Sequence, residues 1–118
     1  MSRERWELTV RAGPKFERTR HATLDEALRA LATDVEALRP RAPRAEVQIL
    51  SRRIAPEQQV AARLEIAGPG GWRATVRGGV DVRGDGSAEA FTGRLRRTVI
   101  EQRHGESAPD ALRRALTT

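Results

Sequence analysis

The chain reads as an α+β domain, with an antiparallel sheet carrying a helix on one face. Three observations point there. Apolar residues fall at every second position through residues 60–66 and 72–82, and again at Phe91, Gly93, Leu95 and Val99. Gly- and Pro-rich turn signals separate these runs. One segment, residues 24–38, instead repeats its apolar residues at helical period.

Taken in order, Trp6, Leu8 and Val10 alternate as a strand, and Ala12-Gly13-Pro14 marks a turn. A second short strand follows from Lys15 to about Arg20, with Phe16 its one large apolar residue. Thr23 and Glu26 have capping-box spacing. Leu24, Ala27, Leu28, Leu31, Val35 and Leu38 then form one stripe, and Pro40 ends the helix near Leu38. Residues 39–44 are a basic, proline-containing connector too short for a domain boundary, so residues 1–118 form one α+β domain.

Strand character resumes with Val47 and Ile49, and Pro56 marks a loop. Val60, Ala62, Leu64 and Ile66 alternate, and Ala67 to Gly71 reads as a turn that pairs Ile66 with Trp72. Asp85-Gly86 reads as a two-residue hairpin turn. That register sets Val80 opposite Phe91, Gly78 opposite Gly93 and Val76 opposite Leu95. Ala88, Phe91, Leu95 and Val99 would also suit a helix, but Gly93 and the β-branched run Thr98-Val99-Ile100 favour strand. Ser107, Pro109 and Asp110 open a final helix over residues 108–116. The expected order is ββαββββα: a four-stranded meander, an N-terminal hairpin, a helix packed on one face and a short C-terminal helix.

Composition narrows the chemistry. Only 38% of the residues are hydrophobic and 3% aromatic, so the core is small and aliphatic. The absence of cysteine excludes disulfides and thiolate sites. No apolar run approaches a membrane span and Met-Ser-Arg-Glu-Arg opens no signal-peptide core, so the expectation is a cytoplasmic protein with no membrane partner. His21 and His104 have no metal-ligand spacing. Gly68 to Gly71 lacks the Lys and Ser/Thr of a phosphate loop, and no serine has a nucleophile's context. Asp81, Asp85, Gly86 and Glu89 fail the calcium-loop pattern at Arg83 and Thr92. Arg83-Gly84-Asp85 is explained by its turn. No catalytic residue, metal or cofactor is expected.

The net charge is +6, and every basic residue but Lys15 is arginine. A GC-rich genome would produce this bias, and so would a surface that recognises phosphate. The expected register gathers Arg63, Arg73, Arg77, Arg94 and Arg96 on the polar sheet face, Arg77 directly opposite Arg94. Such repulsion weakens a sheet, and a phosphate backbone would relieve it. Cross-strand pairs of Glu65 with Arg73, and of Asp81 with Arg77 and Arg83, are the alternative explanation. No aromatic residue is expected on this face, so binding would rest on phosphates and base edges without base stacking. The Gly78–Gly93 pair either lets the helix approach or the sheet bend, or leaves room for a small ligand between sheet and helix.

Residues 6–38 loosely resemble the ββα layout of sheet-type DNA readers such as recombinase arm-binding modules. The shared features are Val10-Arg11 before a glycine turn, alternating Arg18 and Arg20, and Thr23-Leu24-Asp25-Glu26-Ala27 opening the helix. The resemblance covers under a third of the chain and is too general to identify a family. Two readings follow: a small non-enzymatic module contacting DNA or RNA through its arginine face, or a self-associating domain that pairs through a sheet edge, residues 45–52 being the more exposed one unless the N-terminal hairpin covers them.

Overall fold

A computed structural model describes residues 5–39, 47–49, 52–54, 60–69, 76–93 and 96–117, with backbone only for 47–49 and 52–54. The α+β class and the antiparallel sheet with a helix on one face hold. The strands are β1 (Trp6–Ala12), β2 (Lys15–His21), β3 (Val47–Ile49), β4 (Arg52–Ile54), β5 (Val60–Gly68), β6 (Val76–Arg83), β7 (Ala88–Thr92) and β8 (Thr98–Ile100). The helices are α1 (Leu24–Leu38) and α2 (Ala108–Thr117). β5 to β8 form a meander, and the N-terminal hairpin docks β1 against β5. The result is a six-stranded sheet in the order β2-β1-β5-β6-β7-β8. β3 and β4 pair with each other in a separate ladder, so β3 is not the sheet edge expected of residues 45–52: β1 takes the place beside β5, and β2 and β8 are the edges.

Local chemistry fixes both helices. Thr23 is extended, and its hydroxyl accepts the Glu26 N–H at 3.1 Å. Glu26 reaches back to the Ala22 N–H at 3.3 Å, one residue short of the reciprocal capping-box bond. At the other end, the Arg39 Nε donates to the Gly86 carbonyl at 2.8 Å and ties α1 to the β6–β7 turn. Ser107 caps α2 by accepting the Asp110 N–H at 3.2 Å. Arg113 of α2 and Asp25 of α1 meet at 2.7 Å.

Both helices cover one sheet face. Leu28, Leu31 and Val35 of α1 and Ala108, Ala111 and Leu112 of α2 share one buried cluster with Leu8, Leu64, Ile66, Val80, Val82 and Ala90. The expected aliphatic stripes therefore meet in an aliphatic core, with the Trp6 ring packed against it.

The strand registers correct the sequence reading in two places. Gly68 pairs with Val76 and Ile66 with Gly78, not with Trp72. This displacement is even-numbered, so the residues of β6 keep their expected faces. The β6–β7 register differs by a single residue. Val82 pairs with Ala88, Val80 with Ala90, Gly79 with Phe91 and Gly78 with Thr92. Its cause is the turn. Arg83 donates to the Ser87 carbonyl at 2.8 Å, and Gly86 donates to the Arg83 carbonyl at 2.9 Å with φ +86°. The loop is thus Gly84-Asp85-Gly86, three residues closed by a left-handed glycine. One extra loop residue turns every side chain of β7 to the opposite face. Ala88, Ala90 and Thr92 face the helices; Phe91 and its cross-strand partner Val99 face away from them.

Glu106 anchors the approach to α2. Its carboxylate takes two bonds from Arg114 at 2.9 Å and one from the Arg103 N–H at 2.9 Å. The Arg114 bonds first, then the Arg103 N–H, hold its pKa at about 2 against an ordinary 4.5. A depressed carboxylate pKa stabilises the fold above the unfolded value and loses that effect as pH falls toward the folded one. Thermal melts should therefore show the wild type losing stability between pH 4.5 and about 2 more steeply than Glu106→Gln. The difference between the two should shrink in high salt.

Candidate nucleic-acid interface

Strand alternation and register define the sheet face opposite the helices. It carries Glu7, Thr9 and Arg11 of β1, Phe16, Arg18 and Arg20 of β2, and Arg63 and Glu65 of β5. It continues through Arg77, Gly79, Asp81 and Arg83 of β6 to Glu89 and Phe91 of β7. Among the described residues no helix covers this face.

Of the arginines expected from sequence, Arg63 and Arg77 lie on it, with Arg77 opposite Ala67. Arg96 is exposed in the loop between β7 and β8. Arg73 and Arg94 lie outside the described residues, and with Arg94 the expected Arg77–Arg94 opposition. The ion pairs also differ from those expected. Asp81, only 8% exposed, accepts Arg63 Nε at 2.6 Å and Nη2 at 3.0 Å. This two-pronged bond raises the Arg63 pKa further, so its charge is permanent. Arg83 pairs with Glu89 at 2.7 Å, and Arg97 reaches Glu65 at 3.4 Å.

The absence of aromatics from this face is overturned. Phe91 lies above Gly79, where an added Cβ would stand 2.8 Å from the ring and would strike the Leu64 carbonyl. Arg97 and Arg63 cover the ring at 5.0 and 5.8 Å from its centroid. Phe91 is consequently buried on a charged face. Phe16 occupies the same face on β2 and stays 49% exposed, with the guanidiniums of Arg11 and Arg18 over its ring at 5.5 and 5.7 Å from the centroid.

The charges are not evenly matched along the sheet. On β5 to β7, Asp81, Glu89 and Glu65 each hold an arginine. On the hairpin, Glu7 is shared by Arg18 and Arg20, both at 3.6 Å, beyond hydrogen-bond length. Arg11 has no acidic partner among the described residues. Directly across from it stands Arg63. A depression of about 310 Å³ lies beside this pair, lined also by Gly13 and by Val60, Ala61 and Ala62 at the start of β5. Positive charge is therefore in excess at the β1–β2 end.

The glycine pocket does not form as expected. Gly78 faces Thr92, and the space left by its missing side chain is taken by Leu112 and Leu116 of α2. Gly93 sits past the end of β7 with φ +96°, its N–H bonded to the Arg77 carbonyl. A helix does approach closely at Gly78, but it is α2 and not the expected helix of residues 24–38, and a side chain there would strike Leu112. A smaller depression of about 170 Å³ lies on the helix side, walled by Lys15, Glu17 and Asp34. Burial, reinforced by Glu17, raises the Asp34 pKa. Its carboxylates make this side unsuited to anions.

Among the described residues no cluster of His, Asp and Glu could hold a metal, and no helix is long and apolar enough to cross a membrane. Comparison with known proteins finds no matching family model, no matching characterised protein and no matching solved structure.

Two substitutions test this geometry by chemical denaturation. Gly79→Ala should destabilise strongly, since the added methyl meets backbone at the Leu64 carbonyl and cannot be relieved by a rotamer change. Asp81→Asn should cost about 1–2 kcal/mol by weakening the charged bond to the part-buried Arg63.

Proposed function

We propose that the protein is a small non-enzymatic binding module that takes nucleic acid on its arginine-bearing sheet face. The observation that carries this reading is the uneven charge pairing. Arginines crowd a face that no described helix covers, and on β1 and β2 Arg11, Arg18 and Arg20 are answered there by Glu7 alone. Guanidinium groups suit phosphate oxygens, and displacing the counterions around a polyanion drives association.

The fixed pairs have a different role. Arg63 held by Asp81 and Arg83 held by Glu89 stiffen the middle strands without drawing on outside charge. The exposed, loosely paired arginines of the hairpin are available to a ligand. Of the five arginines expected from sequence, Arg63 stays in the site as a positioning group for the face, and Arg96 lies at its margin.

Self-association through a sheet edge is the second reading. β2 is a seven-residue edge strand, exposed along most of its length. Its Lys15, Glu17, Arg18 and Arg20 are residues that blunt edge pairing, so the observations favour it less. Light scattering at micromolar concentration distinguishes the two, a monomer being expected.

Fluorescence anisotropy against salt tests the main reading. Affinity for an oligonucleotide should fall steeply as salt rises. Arg11→Gln with Arg18→Gln should weaken binding and lower the log–log salt slope by about 1.4, the release expected for two phosphate contacts on a single strand. Asp81→Asn should bind more tightly than wild type despite its lower stability, because it removes a negative charge beside Arg63. Affinity indifferent to salt and to both variants would contradict the proposal.

A further inference from the structure

We infer that the ligand of this face is a single-stranded nucleic acid that crosses the strands, with a base stacked on Phe16 and the adjoining phosphates on Arg11 and Arg18. This inference rests on the function proposed above and adds the strandedness and the path.

A duplex offers phosphates along its outside while its base faces are stacked inside, so arginines alone would serve it. The structure has something more. Phe16 stands on the arginine face with half of its surface in water, and the guanidiniums of Arg11 and Arg18 lie over its ring, from which a base would draw one aside to stack. A single strand presents both of the groups such a constellation accepts, a flat base for the ring and a phosphate for each cation.

The surroundings give the path a direction. Phe16 pairs with Arg11, and Arg11 pairs with Arg63, so these three side chains make a row across β2, β1 and β5. The depression of about 310 Å³ lined by Arg11 and Arg63 borders this row on the side of Gly13 and Val60 and is large enough for a phosphate. Beyond Arg63 the row continues to Asp81 and Glu89, and Phe91, whose ring Arg63 partly covers, lies two residues along β7 from Glu89. Phe16 and Phe91 are four strand spacings apart, roughly 19 Å. Arg97, the second cover over Phe91, is held by a single 3.4 Å contact to Glu65. A phosphate drawing Arg97 aside would open Phe91 as a second stacking position. Phe16 keeps half of its surface in water even with Arg11 and Arg18 over its ring, whereas Phe91 is buried, so Phe16 is the primary one.

The experiment compares three ligands at one salt concentration: an oligothymidylate or oligouridylate of about twelve nucleotides, a duplex of equal length, and inorganic polyphosphate. Phe16 is exposed, so Phe16→Ala leaves the fold intact, which its melting curve checks. The wild type should prefer the single strand to the duplex. Phe16→Ala should lose about 5-fold or more of its single-strand affinity with an unchanged salt slope. Its affinity for polyphosphate should not move. Equal binding of single strand and duplex, or an equal loss for polyphosphate, would overturn the stacking site while leaving the arginine surface standing. If Phe16→Ala instead converts a dimer to a monomer, Phe16 is a contact between copies and the site falls. If none of the three ligands binds the wild type, both the site and the proposed function fail.

Discussion

The left-handed glycine at position 86 decides what each sheet face is made of. Closing β6 to β7 with three residues rather than two slides β7 by one position, and in a sheet one position exchanges the faces. Ala88 and Ala90 then lie beneath α2, where small side chains let the helix approach, and Phe91 goes to the side of the arginines. Three contacts agree with this register. Arg39 binds the Gly86 carbonyl from the end of α1. The Asp85 carboxylate accepts the Ser87 N–H and hydroxyl and so shapes the same loop. Gly79 supplies the one bare backbone position on which the Phe91 ring can lie.

From this follows a division of labour among the arginines. Those on the central strands are consumed internally: Asp81 and Glu89 satisfy Arg63 and Arg83, and guanidiniums shield a phenyl ring that would otherwise meet water. Those on the hairpin face a shortage of acid. The gradient of unmatched charge runs across the strands, the same direction as the row from Phe16 through Arg11 to Arg63. A net charge of +6 alone would say only that polyanions are attracted. The pairing pattern says where on the sheet they would be held.

Much of the fold was legible in the sequence because the signals were redundant. The stripe from Leu24 to Leu38 carries its own cap at Thr23 and its own stop at Pro40, and α2 has Ser107 before it. β1, β2 and β5 alternate cleanly, so their faces followed. The β6–β7 register was not legible for a physical reason. Asp85-Gly86 fits a two-residue turn as well as the last two positions of a three-residue loop, leaving the apolar pattern to arbitrate. Phe91 and Val99 are bulkier than Ala88 and Ala90, so hydrophobicity chose the wrong parity. What outweighs it is tertiary: α2 requires small residues beneath it, and no local pattern reports that. The Phe16 ring was visible as an apolar residue among charges, but its place against Arg11 needed the β1–β2 register.

The most direct measurement is the set of NMR nuclear Overhauser contacts made by the Phe91 ring. The structure predicts cross-peaks to the Gly79 α protons and to the side chains of Arg63 and Arg97, with the Gly79 protons shifted upfield by the ring above them. Cross-peaks from that ring to the methyl groups of Leu28, Leu31 or Leu112 would place it in the core instead. The two-residue turn would then be correct, and the central aromatic of the arginine face would not exist.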